Sequence, residues 1–193
     1  MQDLPLLKFF EQAKLPFTAL EEALVEKYFS QESFKKNEII LNAGEVCKKI
    51  YFVKKGLIRT FHANVNGTEF TRLFAKENDF CTILISFTEK IGSPATIQSL
   101  EDTDVFTIKK SDFLEFTKIS QCARDIYTKI LEDYQNFQIG RLEFLTTLSP
   151  KEKVQKFLAE NSDLEKRISD KIIATYLQIT PETYSRCKKH FKV

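Results

Sequence analysis

Residues 172–191 read "IIATYLQITPETYSRCKKHF", and the turn signal inside this stretch decides how the chain is organised. An apolar-rich segment, "DKIIATYL" (170–177), gives way at "QIT" to a second segment that opens on Thr180, Pro181 and Glu182. Thr180 can cap a helix through its hydroxyl, and Pro181 loses nothing at the first helical position, because first-turn amides have no partner inside a helix. Ser169 stands just before the earlier segment and can cap that one. The spacing predicts two short helices joined by a tight turn, with Ile172, Ala174, Leu177, Ile179, Tyr184 and Cys187 as their shared core.

A helix-turn-helix sets its second helix in the DNA major groove with N-terminal residues toward base edges. Here those residues are Glu182, Thr183, Ser185 and Arg186. A carboxylate can accept from the cytosine amino group and a guanidinium can hold guanine bidentately. Lys188, Lys189 and Lys192 lie further along, where phosphate contacts would fall. A plain helical hairpin with a solvated basic face fits the same spacing. The charge distribution favours this end of the chain for any polyanion: residues 149–193 hold ten Lys or Arg against six Asp or Glu, while the rest hold 19 against 21.

Upstream, Ser149, Pro150 and Glu152 supply a cap, a first-position proline and a capping-box acid for a helix running to about Glu160. "AENSDLEKRIS" (159–169) then reads as polar and turn-like, with little room for a β-wing. Before Ser149, Ala123, Ile130, Phe137 and Phe144 fall seven apart, with Tyr127, Tyr134 and Leu148 on the adjoining row. This predicts a helix of about 25 residues whose stripe is wider than a small core requires. Self-association along Ala123, Tyr127, Ile130, Tyr134, Phe137 and Phe144 is the expected use, and packing on the chain's own β-domain is the alternative. Thr146–Pro150 would be the hinge, and Ser111 can cap a short helix through Phe116.

Four of the five glycines fall between 44 and 92, among short alternating or apolar runs such as "KIYFVKKG", "LIRTFHANVNG", "EFTRLFAK" and "DVFTIKK". Such runs predict an antiparallel roll over about 33–110, with a type I′ turn at Asn66-Gly67. The first thirty residues suggest helical cover for the roll. The expected fold class is α+β: an antiparallel β-roll, jelly-roll-like, with flanking helices over 1–120, a long dimerisation helix over 121–148, and a helix-turn-helix domain over 149–193.

With 193 residues, 42% of them hydrophobic, the chain can bury a real core. No apolar run is long enough to span a bilayer and the start lacks a secretory pattern, so no membrane contact and a cytoplasmic location are expected. The four cysteines lie at least 34 residues apart, without local metal-ligand spacing, and reduced buried thiols are expected. Neither a G-x-S-x-G, a P-loop nor an H-E-x-x-H motif is present, and two histidines offer few general bases, so no enzyme, catalytic residue or metal site is expected.

"IATYLQITPETYSR" resembles the helix-turn-helix of the Crp/Fnr family of bacterial transcription regulators, and "NAGEVCKKIYFVKKGLIR" resembles the start of that family's cyclic-nucleotide-binding-like roll. The resemblance covers nearly the whole chain in the family's order. It implies that Glu182 and Arg186, with Thr183 beside them, read bases, and that Thr180 and Ser185 lie at the phosphate backbone. It implies a homodimer on two-fold symmetric double-stranded DNA, with RNA polymerase and a small-molecule effector as further partners. The family's cyclic-AMP cassette carries Gly-Glu and then Arg-Ser-Ala; here Thr82-Ile83 and Ser93-Pro94-Ala95 stand in those places. A buried phosphate without a cation is costly, so cyclic AMP is not expected, and the pocket formed by Phe80, Thr82, Ile83, Leu84, Ser93, Pro94 and Ala95 is either apolar or filled. An iron-sulfur sensor would need N-terminal cysteines and a haem sensor axial ligands; the first 46 residues have no cysteine and His62 is the only histidine in the roll, so no cofactor is expected. The alternative reading is a binding module whose helical tail contacts protein.

Overall fold

The computed structural model describes residues 18–191, which fall into two compact bodies. The first comprises the chain up to His62 and Phe74–Glu132; the second comprises Ala63–Leu73 and the chain from Asp133 onward.

The β-strands form a roll of two four-stranded sheets, all of them in the first body except most of the fifth, whose residues up to Leu73 belong to the second. Helix α1 (Ala19–Tyr28) runs straight into β1 (Phe29–Phe34), followed by β2 (Ile39–Leu41), β3 (Lys49–Lys55), β4 (Ile58–Ala63), β5 (Glu69–Ala75) and β6 (Phe80–Cys81). Helix α2 (Leu84–Glu89) separates these from β7 (Thr96–Ser99) and β8 (Thr103–Lys109), and α3 (Lys110–Ile119) closes the series. One sheet has the order β1-β8-β3-β6 and the other β2-β7-β4-β5. The β1–β8 and β3–β8 pairs are antiparallel, with Phe29 opposite Ile108 and Tyr51 opposite Thr107. Four consecutive buried residues in β3, Ile50–Val53, mark a strand covered on both faces, where a half-exposed strand would alternate. Phe52, Ile58, Ile97, Val105 and Ile108 fill the roll; Leu24, Val25 and Phe116 from the helices join the same core.

Three details depart from the sequence reading. Strand β1 begins at Phe29, inside a segment expected to be helical, because its six residues take their ladder from β8. Ser111 does not cap α3, which begins one residue earlier; the Ser111 hydroxyl bonds Asp112 Oδ1 instead. The β4–β5 turn is not type I′: in that loop only Gly67 has positive φ, at 76°. Asn64 organises it, its carbonyl accepting the Gly67 amide at 2.9 Å and its side-chain oxygen accepting the amides of Asn66 and Thr68. That is an Asx-nucleated turn ending in a left-handed glycine.

Helix α4 (Gln121–Thr147) spans 27 residues and is shared, its first half with the roll and its second half with the C-terminal body. There α5 (Pro150–Glu160), α6 (Ser162–Arg167), α7 (Asp170–Leu177) and α8 (Pro181–Lys188) pack around Val154, Phe157, Leu164, Ile173, Leu177 and Tyr184. The polar stretch read as a turn is the helix α6, and among the described residues from 149 onward there is no strand and hence no wing.

Candidate nucleic-acid interface

Three helix starts in the C-terminal body are fixed by local side-chain bonds. Ser149 Oγ accepts from the Glu152 amide while the Glu152 carboxylate accepts from the Ser149 amide at 2.8 Å, a closed capping box. The Ser149 hydroxyl, which donates to the Glu152 carboxylate at 2.5 Å, and then the Ser149 amide hold that exposed carboxyl below its usual range. Ser169 Oγ accepts the Ile172 amide, and Thr180 Oγ1 accepts the Thr183 amide at 3.2 Å. Between α7 and α8, Gln178 sits in the left-handed region (φ 53°, ψ 47°). The Ile179 amide reaches back to the Ala174 carbonyl at 3.1 Å, the six-to-one bond that closes a helix C-terminus around a left-handed residue.

Helix α8 is anchored by one face and open on the other. Tyr184 is fully buried and Cys187 nearly so, while Glu182, Ser185, Arg186 and Lys189 are exposed and recur at three- and four-residue spacing. Thr183 is half-buried beside Thr180, which is itself exposed. The Glu182 carboxyl is held below its usual range by its own backbone amide and by Thr180, so it is ionised at the helix N-terminus, where negative charge is favoured. The anchoring face is Ile173, Ala174 and Leu177 from α7 rather than the expected Ile172, which is half-buried together with Ile179.

Lys188 departs from its expected place at a phosphate. Its side chain is only 14% exposed, and Nζ lies 2.6 Å from Glu165 and 2.7 Å from Asp170. Burial opposes its charge, but hydrogen bonds to Asp170 and Glu165 outweigh that and raise its pKa. It therefore ties α8 to α6 and to the start of α7. Lys192 lies outside the described residues.

The stripe on α4 has its first half in the roll body and its second half in the C-terminal body. Ala123 is buried in the roll core, Ile130 packs against that core, and the Tyr127 ring meets Phe113 at 4.9 Å. Phe137 and Phe144 line a cavity in the C-terminal body, and Tyr134 is half-buried. The apolar residues that α4 leaves open are Ile139 and Leu142, 59% and 65% exposed, which the seven-residue count passes over.

In the roll, the segment that would receive a cyclic phosphate satisfies its own polar groups. Thr82 Oγ1 donates to the Lys49 carbonyl at 3.0 Å, and Ser86 Oγ donates to the Ile91 carbonyl at 2.6 Å. Ser93 Oγ donates to the Ala95 carbonyl at 2.5 Å and accepts the Ala95 amide. Ile83 and Ala95 are buried, Phe80 stacks on Phe52 at 4.9 Å, Leu84 is half-buried, and Pro94 is exposed. The buried cation of the roll, Arg59, is held by Gln98 at 2.7 Å and lies over the Phe61 ring. Among Phe80, Thr82, Ile83, Leu84, Ser93, Pro94 and Ala95 no side chain carries the positive charge that would pair a buried phosphate. His62 is exposed at the end of β4, and among the described residues no group of three metal-ligating side chains exists. No described helix is long and apolar enough to cross a membrane.

Residues 31–120 match the family model of the cyclic nucleotide-binding domain. No curated protein matches the chain. Among solved structures, the chain is similar to FixK2 from Bradyrhizobium japonicum, with a TM-score of 0.74, 21% identity and 84% of each chain covered. It is similar to a protein from Eubacterium rectale described as a transcriptional regulator of the Crp/Fnr family, with a TM-score of 0.74 and 23% identity over 95% of this chain and 87% of that one. A CooA variant from Carboxydothermus hydrogenoformans aligns over 99% of this chain and 85% of its own, with a TM-score of 0.73 and 19% identity. The chain thus has the Crp/Fnr fold, a cyclic-nucleotide-binding-like roll followed by a long helix and C-terminal helices that match a helix-turn-helix.

Proposed function

We propose that this protein is a DNA-binding transcription regulator that works as a homodimer on a two-fold symmetric operator and does not take cyclic AMP as its signal. The observation that carries the reading is α8 itself: a helix with a capped, proline-fixed N-terminus, held from behind by Tyr184 and presenting Glu182, Ser185, Arg186 and Lys189 outward. Arg186 and Glu182, with Thr183 beside them, read bases; Thr180, Ser185 and Lys189 hold phosphates. Ile139 and Leu142 on α4 belong to the dimer contact, an assignment their exposure supports. The cytoplasm is the compartment where such a protein meets its DNA, and RNA polymerase is the partner a promoter would add.

The test is selection of random duplexes by the purified protein without added ligand, followed by sequencing. A two-fold symmetric motif is expected, and Arg186→Ala should lower affinity by about 1–3 kcal/mol while relaxing preference at one position per half-site. Recovery of no motif, with the tail instead binding protein, would refute it.

A further inference from the structure

The C-terminal body contains a cavity of about 250 Å³ that the outward face of α8 does not touch. Three helices supply its aromatic walls: Phe137 and Phe144 from α4, Phe157 from α5 and Tyr176 from α7. Its charged lining consists of Arg141, Lys156 and Glu160, one positive charge in excess.

Arg141 is only 8% exposed. Its Nη2 donates to the Tyr176 backbone carbonyl, and the guanidinium lies over the Tyr176 ring at 3.9 Å and 5.3 Å from the Phe144 ring. Its Nη1 is buried without a hydrogen-bond partner. The Glu160 carboxylate pairs with Lys156 at 3.9 Å and not with Arg141. A second buried cation, Lys153, lies close enough for burial and the Arg141 charge to push its pKa down. Burying a donor on a charged group without an acceptor destabilises a fold, and a guanidinium presents paired donors that match a carboxylate. The remaining requirement is an acceptor that arrives with a flat apolar body.

We propose that this cavity binds a small aromatic monocarboxylate, its ring lying among Phe137, Phe144 and Phe157 and its carboxylate drawn to Lys156 and to the Arg141 guanidinium, whose Nη1 turns out from its closed position to donate. The aromatic walls suit a carboxylate that carries a ring better than a bare phosphate. The volume falls just below the roughly 300–1,000 Å³ usual for drug-sized ligands, which limits the occupant to about one ring. Because Nη2 of the same guanidinium holds the C-terminal carbonyl of Tyr176 on α7, an occupant acts on the group that joins α4 to the helix-turn-helix.

The test uses the full chain and benzoate as probe, titrated by calorimetry, with benzyl alcohol as the neutral analogue and inorganic phosphate as the alternative anion. Saturable binding of one benzoate per chain is expected, with benzyl alcohol weaker by about tenfold or more, the worth of a charged hydrogen bond. Arg141→Gln should remove that preference. Lys156→Glu, at an exposed residue that leaves the core intact, should weaken benzoate and leave benzyl alcohol unchanged. Failure of the wild-type chain to bind benzoate, equal binding of benzyl alcohol, preference for phosphate, or benzoate binding that survives both variants would each overturn the proposal. None of these readouts depends on DNA.

Discussion

Gln178 offers a sharp test of how the helix-turn-helix is built. Its φ of 53° and ψ of 47° place an L-residue in the left-handed region, at the position where helices commonly end on glycine. The side chain is exposed and no hydrogen bond to it is seen, so replacing it by glycine removes no packing. A Cβ in left-handed backbone costs roughly 1–2 kcal/mol. Glycine gives back part of that gain, because the unfolded chain gains freedom worth about 0.4–1 kcal/mol. The net expectation for Gln178→Gly is a stabilisation of roughly 0.5–1 kcal/mol, which for a body of this size corresponds to a rise in Tm of about 2–8 °C. Gln178→Ala retains the Cβ and should change stability by less than about 0.5 kcal/mol, the usual range for surface positions. The assay is thermal unfolding of both variants, with amide exchange at Gln178 and Ile179 to localise the effect. A loss of stability in Gln178→Gly, or an equal gain in Gln178→Ala, would refute the argument that backbone strain is concentrated in this turn.

Two further variants test other parts of the molecule. Leu142→Glu places a charge on the exposed face of α4 and should convert a dimer to monomer in sedimentation while circular dichroism stays native; an unchanged sedimentation coefficient would remove this face from the interface. Gly56→Ala should destabilise the roll by more than about 2 kcal/mol, because backbone with φ of 105° is strained for alanine and its Cβ would lie 2.7 Å from Thr103 Cα. Denaturant unfolding with a wild-type midpoint would show that the β3–β4 corner can yield.

The parts legible in the sequence are those whose physics is local. Ser149 with Glu152, Ser169, and Thr180 with Pro181 each fix a helix start through bonds spanning three residues, and all three starts are where the sequence puts them. Strand β1 was not legible, because "FSQESF" has no strong strand pattern and takes its ladder from β8, 69 to 79 residues away. Ile139 and Leu142 were not legible as open apolar positions of α4, because they fall between the residues that a count of seven picks out.

Lys188 shows the same limit in the candidate interface, and the consequence is measurable. Counted from sequence, Lys188 and Lys189 are equivalent cations at the end of α8, but Glu165 and Asp170 reach Lys188 from α6 and α7 and neutralise it in place. Only a cation that neutralises a phosphate, and so releases the counterions condensed on the DNA, adds to the salt dependence of binding, about 0.9 in the slope of log affinity against log salt per phosphate contact. Lys189→Ala should therefore flatten that slope by about one per half-site and weaken binding evenly across sequences. Lys188→Ala should leave the slope unchanged and instead lower the thermal stability of the C-terminal body, since the largely buried Glu165 and the exposed Asp170 both lose this ion pair. Equal flattening by both variants would mean that DNA pulls Lys188 away from Glu165 and Asp170, and the ion pairs would then be a feature of the unbound protein alone.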